Sequence, residues 1–202
     1  MAYLKNKKLK KIFRNKTVSV VGNASSLFDS DYGDLIDSSD IVCRFNLGPN
    51  VNSPLTHGTR TDWCIYNNYL WAEENNLFDI ENDCSYIEVN FDEVNFDIEN
   101  KIAFEVYPLP SQSKLDLLEK LGLVGSDKPS VGVYFLHYLT QCNPKQVNIF
   151  GFDWKHTHTW YNKGRKRKKD ERKKGHNWDK ELDYFQKFIE PLSQYQLYNP
   201  DK

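Results

Sequence analysis

Short runs of almost uninterrupted apolar residues recur along the chain and constrain its fold more than any other feature. A strand that is apolar on both faces is covered on both faces, as in a parallel sheet between two layers of helices. Six runs have the length of such strands: 17–21, 40–45, 62–66, 85–90, 102–107 and 147–152. They predict an α/β fold, a Rossmann-like α/β/α sandwich with a mainly parallel sheet.

Helical patterns lie between and after these runs, at 68–76, 113–121, 130–142 and 177–190. Segment 130–142 is apolar nearly all round and follows the start signal Pro129-Ser130, which predicts a buried helix. In segment 179–190, Leu182, Phe185 and Ile189 recur at steps of three and four residues, which predicts an amphipathic surface helix. The 202 residues are expected to form a single domain, 1–202.

The charge of the chain is balanced but segregated. Because 27 Lys and Arg residues oppose 28 Asp and Glu residues, a globally basic nucleic-acid binder is not indicated, and no nucleic-acid partner is expected. Segments 5–16 and 163–174 are nevertheless basic. Such blocks are typical of solvated faces or mobile loops, or else of a basic rim that attracts an anionic substrate. The polar stretch around 155–175 is predicted to be a flexible lid.

The four cysteines, Cys43, Cys64, Cys84 and Cys142, form no CxxC pair and no zinc-binding spacing. They are interpreted as buried free thiols in a reducing compartment. The basic N-terminus is not followed by the apolar stretch of a signal peptide, and no run approaches the length of a transmembrane helix. We therefore expect a soluble cytoplasmic protein, with peripheral contact of its basic segments with the inner membrane face as an open alternative.

Three asparagines, Asn23, Asn46 and Asn67, stand at the ends of three successive predicted strands. Each alone is typical of a turn. Together, at the carboxyl ends of parallel strands, they would line one crevice. An asparagine offers a donor and an acceptor, which suits a nucleobase edge, a ribose or a phosphate. The sequence lacks the G-x-G-x-x-G fingerprint, the phosphate loop and the G-x-S-x-G elbow, so these ligand and enzyme classes are disfavoured.

Two further segments are candidates for the same site. Ser130, Val131 and Gly132 open a helix whose unpaired N–H groups could hold an anion, although a tight helix–sheet contact explains Gly132 equally well. His176 precedes another predicted helix, where the neutral, proton-accepting imidazole is favoured. His156 and His158 form an H-x-H pair without a nearby acidic or cysteine partner. No metal site is expected from them, nor from the Asp-x-Asp stretch 29–31.

Four stretches, read together, resemble the motifs of the sialyltransferases. The segment from Val18 to Asn46, which opens with V-V-G-N and closes with R-F-N, is similar to the large sialyl motif of the animal-type family. Segment 129–154, P-S-V-G-V-Y-F-L to V-N-I-F-G-F-D-W, resembles the small sialyl motif and also the compact bacterial lipooligosaccharide sialyltransferases. H-T-W-Y at 158–161 and G-H-N-W-D-K-E at 175–181 resemble the third and last motifs.

The resemblance implies a GT-A-like fold and an activity. It implies inverting, metal-independent transfer of sialic acid from a CMP-activated donor to a hydroxyl of a glycan acceptor, with the donor as substrate and no cofactor. CMP-Kdo is an alternative donor, and a non-catalytic nucleotide- or glycan-binding module is an alternative of another class. An anionic acceptor would suit the basic lid. The disulfide that joins the two main motifs of animal-type enzymes is expected to be absent, because Val18 occupies one of its positions.

The resemblance also implies roles for individual residues. Asn23 and Asn46 would hold the phosphate and ribose of CMP, with Asn67 as a third asparagine and Ser25 in the same nucleotide-binding set. Ser130, Val131 and Gly132 would cradle the nucleotide and the donor carboxylate, and Phe152 would line the cytosine pocket. His158, with Tyr161, would bind the leaving phosphate, and His176 would be the general base. His156 leaves open which histidine matches the third motif.

Overall fold

The computed structural model describes residues 2–79, 84–89, 106–123, 128–154, 156–162 and 176–200. In these residues the strands form a seven-stranded sheet in the order β5-β4-β3-β2-β1-β6-β7, and every pairing is parallel. The strands are Thr17–Val21 (β1), Ile41–Phe45 (β2), Trp63–Tyr66 (β3), Ser85–Glu88 (β4), Val106–Pro108 (β5), Gln146–Phe150 (β6) and Tyr195–Tyr198 (β7). The α/β fold with a parallel sheet is thus confirmed.

Helices cover both faces of the sheet, as the apolar strands require. They are Ala2–Phe13 (α1), Gly33–Asp37 (α2), Pro54–His57 (α3), Tyr69–Glu74 (α4), Ser111–Leu121 (α5), Val131–Thr140 (α6) and Trp178–Phe188 (α7). The largest buried cluster joins one face of the sheet to α1, α5, α6 and α7. Two smaller clusters cover the other face, one centred on Val42 and Phe150 and one on Tyr66 and Tyr86. Because strand side chains alternate between faces, Val20 and Val21 enter different clusters.

Two elements differ from the sequence expectations. The basic run 5–16 lies largely within α1, a helix that was not predicted; its Leu9 and Phe13 are fully buried, while Lys7, Lys8, Lys10 and Lys11 are exposed and form a solvated face, as expected. The apolar side chains recur at a helical step of four residues, and this stripe packs the helix on the sheet. Strand β7 was not predicted; it pairs in parallel with β6 at the edge of the sheet.

Other expectations have mixed outcomes. Cys43, Cys64, Cys84 and Cys142 are buried free thiols, as expected. Of the residues that the structure describes, no helix has the length and apolar character needed to span a membrane. The predicted lid around 155–175 lies mostly outside the described residues, since only 156–162 of it are described.

A close approach of two backbones shapes the sheet edge where the site lies. Beyond the ends of β1 and β6, the Gly22 N–H donates to the Phe150 carbonyl at 2.7 Å, and the Ala24 N–H donates to the Gly151 carbonyl at 3.2 Å. A Cβ added at Gly22 would lie 2.3 Å from the Gly151 oxygen, far inside van der Waals contact. Only glycine fits at position 22. The two chain segments therefore stay together just past the strands.

Candidate active site

A cleft of about 270 Å³ opens at the carboxyl ends of the central strands. The strand order reverses beside β1, because the chain runs outward from β1 to β5 on one side and then crosses to β6 and β7 on the other side. Such a switch point is where open α/β sheets bind ligands. Eight residues singled out from the sequence line the cleft: Asn23, Asn46, Ser130, Val131, Gly132, Phe152, Tyr161 and His176. Chain segments far apart in sequence therefore meet in one place.

Three predicted site residues do not line this cleft. Asn67 follows β3, which is separated from the switch point by the whole of β2. Ser25 opens a 3-10 turn, and its backbone N–H donates to the His158 carbonyl at 2.8 Å. The His158 side chain is exposed, although the neighbouring Thr157 and Thr159 do line the cleft. Roles of these three residues in ligand binding stay predictions.

The Asn23 side chain is held by two neighbours. Its Nδ2 donates to the Phe45 carbonyl at 2.9 Å, and its Oδ1 accepts from the indole Nε1 of Trp160 at 3.2 Å. The backbone strengthens the same contact, because the Trp160 N–H donates to the Asn23 carbonyl at 3.0 Å. Asn23 thus ties the end of β1 to the end of β2 and to segment 156–162, while it lines the cleft.

Asn46 adopts a left-handed backbone conformation with φ of 51° immediately after β2. Its N–H donates to the Ile65 carbonyl at 2.9 Å, which fixes the turn. The side-chain Oδ1 is buried and accepts no hydrogen bond from the described residues. Burial raises the pKa of the neighbouring Tyr161, and a hydrogen bond from Asn46 partly opposes that rise. An unsatisfied buried acceptor is costly, and a ligand hydroxyl would satisfy it.

Helix α6 begins at the cleft and is anchored there from α7. The Ser130 hydroxyl caps the helix by accepting from the Val133 N–H at 3.3 Å. The same hydroxyl and the Ser130 N–H donate to the two oxygens of Glu181, each at 2.7 Å. Glu181 is fully buried, so the anchor is shielded from water. The N–H groups of Val131 and Gly132 have no acceptor within the helix, and both residues line the cleft.

Gly132 allows an aromatic ring to lie against the start of α6. A Cβ at this position would be 2.7 Å from Cε1 of Phe152. Phe152 also packs edge to face on Phe45, with ring centroids 5.8 Å apart. The absent side chain thus lets the Phe152 ring close one wall of the cleft. The tight helix contact and the ligand cradle, considered as alternatives from the sequence, coexist at this glycine.

His176 stands at the mouth of the cleft with a defined tautomer. Its Nδ1 lies 2.8 Å from the Lys128 carbonyl oxygen, which can only accept. Nδ1 therefore carries the proton, and in the neutral ring the lone pair is on Nε2. The Trp178 ring packs edge to face on the imidazole, with centroids 5.0 Å apart. The ring is thus oriented by a hydrogen bond and by an aromatic neighbour.

The charge of the cleft is unusual for a site that would bind an anion. Among its described lining residues there is no lysine or arginine, while Asp153 and Glu181 are acidic. Asp153 is engaged by segment 156–162, because its Oδ2 accepts from the Thr157 N–H at 2.8 Å and from the Thr157 hydroxyl. Backbone N–H groups, amides and hydroxyls are therefore the donors that this part of the chain offers to a ligand.

Sequence reasoning missed several residues of the site. Trp178 and Glu181 belong to the stretch 175–181 that resembles the last motif, yet neither was assigned to the site. Trp160 was inside the third motif and was not singled out. Two of these roles depend on residues that are distant in sequence: Glu181 binds Ser130, 51 residues away, and Trp160 binds Asn23, 137 residues away. The available signal was the position of each tryptophan two residues after a candidate histidine, Trp178 after His176 and Trp160 after His158.

The chain is similar to proteins of one family. Residues 4–107 match glycosyltransferase family 29 (sialyltransferase). Among solved structures, a mammalian sialyltransferase in complex with Gal-beta-1-3GalNAc-ortho-nitrophenol is similar with a TM-score of 0.66 and 17% identity, over 94% of this chain and 71% of that chain. The monofunctional alpha-2,3-sialyltransferase Cst-I from Campylobacter jejuni is similar with a TM-score of 0.64 and 13% identity, over 92% and 76% of the two chains.

A third structure was solved with a nucleotide-sugar analogue. The sialyltransferase CstII from Campylobacter jejuni, in complex with the substrate analogue CMP-3FNeuAc, has a TM-score of 0.59 and 16% identity, over 91% of this chain and 79% of that chain. The TM-scores show a common fold, the GT-A-like fold of the sialyltransferases, although the sequence identities are low. The family match spans more than half of the 202 residues, and the chain belongs to glycosyltransferase family 29, the sialyltransferases.

Proposed function

We propose that the protein transfers sialic acid from a CMP-activated donor to a hydroxyl of a glycan acceptor, with inversion at the anomeric carbon and without a metal ion. The observation that carries this proposal is the opening of α6 into the cleft beside Asn46. Two backbone N–H groups, those of Val131 and Gly132, point out of the helix start, where the helix dipole is positive. Such a position favours an anion.

The nucleotide fits the uncharged donors and acceptors of the cleft. The buried Oδ1 of Asn46 would accept from a ribose hydroxyl, and the Asn23 amide would donate to the phosphate. The Phe152 ring, held against Gly132, offers an apolar wall to the cytosine. A sugar–nucleotide linkage with a single phosphate carries one negative charge, which backbone N–H groups and amides can satisfy. For this reason we expect no requirement for a divalent cation.

The transfer step uses His176 as the general base. The acceptor hydroxyl would attack the anomeric carbon on the face opposite the phosphate. The bond from that carbon to the phosphate oxygen breaks, CMP leaves with the bonding electrons, and the hydroxyl proton passes to Nε2 of His176. The bond from Nδ1 to the Lys128 carbonyl would hold the ring in the required tautomer and stabilise the imidazolium that forms.

The leaving phosphate would be bound by residues of segment 156–162. Tyr161 lies in the cleft, whereas the His158 side chain is exposed beside it. We assign the phosphate contact to Tyr161 and, by the motif resemblance, to His158. Ser25 and Asn67 lie outside the cleft lining, and their contribution to nucleotide binding would be indirect.

A donor screen tests the proposal. The purified protein is incubated with CMP-Neu5Ac or with CMP-Kdo, with and without a panel of neutral and anionic glycans, and CMP release and glycan mass are followed. We expect CMP release and a mass increase of one sialic acid with CMP-Neu5Ac, unaffected by EDTA. The anomeric configuration of the product is read by NMR. Transfer only from CMP-Kdo, or only after addition of a divalent cation, would overturn the corresponding part of the proposal.

A further inference from the structure

We infer that Trp160 is a positioning residue that fixes the orientation of the Asn23 amide, so that the amide presents a donor and not an acceptor to the phosphate of the nucleotide. The inference rests on the proposed function, because it concerns the same nucleotide site. It adds a residue with no previous role in the site and a specific atom, the indole Nε1–H.

The orientation of the Asn23 amide follows from the chemistry of its two partners. The indole Nε1–H of Trp160 can only donate, so the amide atom facing it at 3.2 Å must be the oxygen. The Phe45 carbonyl can only accept, so the atom facing it at 2.9 Å must be the nitrogen. A flipped amide would bring two donors together at Trp160 and two oxygens together at Phe45. Both contacts therefore select one orientation.

One hydrogen of the amide is left for a ligand. Nδ2 carries two hydrogens, and the Phe45 carbonyl takes one of them. The other has no acceptor among the described residues, and Asn23 lines the cleft. Because Oδ1 accepts from Trp160, the side chain faces the phosphate with the remaining N–H of Nδ2. Without the Trp160 contact, only the Phe45 carbonyl would hold the amide, and the orientation that presents a donor to the anion would be less strongly favoured.

The backbone holds Trp160 in place for this role. Ala24 and Thr159 form an antiparallel bridge, and the Trp160 N–H donates to the Asn23 carbonyl at 3.0 Å. The Ser25 N–H donates to the His158 carbonyl at 2.8 Å on the other side of the bridge. These main-chain bonds do not depend on the indole. A substitution that removes only the indole N–H should therefore leave segment 156–162 in place.

A double-mutant cycle on CMP affinity tests the inference. Trp160→Phe removes the N–H and keeps an aromatic ring, and Asn23→Ala removes the amide. Trp71→Phe, which lies outside the cleft lining, is the matched control. A neutral hydrogen bond contributes about 1 kcal/mol, so Trp160→Phe should weaken CMP binding by about three- to tenfold. Asn23→Ala should weaken it at least as much. The double variant should bind no worse than Asn23→Ala, and the donor KM should rise more than kcat falls.

Two results would overturn the inference: unchanged CMP affinity in Trp160→Phe, or a loss of the same size in the Asn23→Ala background. If Trp160→Phe does not fold, benzothienylalanine at position 160 replaces the indole N–H by sulfur in a ring of the same shape. Hydrogen exchange of the indole Nε1–H gives a readout without nucleotide, since it should be slow in the wild type and faster in Asn23→Ala. A protein with slow exchange but no CMP binding would overturn the proposed function while the contact itself stands.

Discussion

The carboxylate of Glu181 binds both polar groups of Ser130, with Oε1 2.7 Å from the backbone nitrogen and Oε2 2.7 Å from the hydroxyl oxygen. The two residues are 51 positions apart, on the start of α6 and the first turns of α7. The contact therefore joins the helix start that faces the cleft to the helix that follows His176. It fixes the position of the α6 start, the predicted anion site, relative to the start of α7, which His176, the predicted base, precedes.

Loss of this carboxylate should destabilise the protein. Glu181→Ala leaves two partly buried donors of Ser130 without their acceptor, and hydrogen bonds to charged groups contribute about 1.5–3 kcal/mol each. We expect a loss of about 3 kcal/mol or more in the free energy of unfolding, measured with urea. Asp183→Ala is the matched control on the same helix, because its i,i+4 pair with Lys187 is exposed. Equal losses in the two variants would contradict the anchor.

His57 should make stability depend on pH. Burial, and then the charge of Arg44, lower the pKa of His57 to about 4. The unfolded state, with an ordinary pKa of about 6.5, binds more protons between these values, so stability is fully present above about pH 6.5 and is lost as the pH falls toward 4. The difference in unfolding free energy between wild type and His57→Gln should fall by about 2 kcal/mol from pH 7.5 to pH 5.

The control for this experiment is His158→Gln, since the His158 side chain is exposed. The pH dependence assigned to His57 is the part of the His57→Gln difference that exceeds the His158→Gln difference over the same pH range. His137, whose pKa is also lowered by burial, remains in both proteins and cancels in the comparison. A His57→Gln difference that does not change with pH would show that His57 is not held neutral in the folded protein.

A methyl group at Gly132 should damage the nucleotide site. It would lie 2.7 Å from Cε1 of Phe152, so the ring or the start of α6 must move. We expect Gly132→Ala to weaken CMP binding about tenfold, a cost of about 1.4 kcal/mol, measured by calorimetry. If the effect acts through the ring, Gly132→Ala should cost little in a Phe152→Ala background. A full loss in that background would mean that the methyl group obstructs the ligand directly.

The parallel sheet was predicted correctly because it depends on local patterns, and eight of the eleven candidate site residues line the cleft, while their roles stay predictions. Apolar runs locate strands, and the asparagines and Ser130 follow strand ends or precede a helix. Asn67 was grouped with Asn23 and Asn46 because all three follow successive strands. Sheet order decides which strand ends meet, however, and β6 rather than β3 borders β1. The order of strands in a sheet is a long-range property that periodicity does not contain.

Helix α1 and the side-chain contacts of the site show the same limit. Segment 5–16 was interpreted from its charge alone, and its two apolar residues that pack on the sheet, Leu9 and Phe13, were not recognised as a helical pattern. Trp160, which binds the Asn23 oxygen, and Ser130, which binds Glu181, are each more than 50 residues away from their partners along the chain. Local sequence indicated which residues carry useful chemistry, whereas their hydrogen-bond partners depend on tertiary packing.

His176 should be separable from the nucleotide-binding residues by kinetics. Removal of a general base typically costs about 10²–10⁴ in rate. His176→Ala should therefore lower kcat at least about a hundredfold and leave CMP affinity within a few fold, whereas His158→Ala should reduce both. His156→Ala, at an exposed position two residues before His158, distinguishes the two histidines and should be close to wild type if His158 is the one that contacts the phosphate. A His158→Ala variant with wild-type affinity and rate would leave the phosphate to Tyr161.

The initial rate of CMP release from CMP-Neu5Ac, for wild type and His176→Ala side by side, tests the central claim most directly. The account predicts saturable release by the wild type, and release at least about a hundredfold slower by a folded His176→Ala protein that still binds CMP. A folded wild type that neither binds CMP nor releases it, or a His176→Ala protein with more than about a tenth of the wild-type rate, would contradict the account.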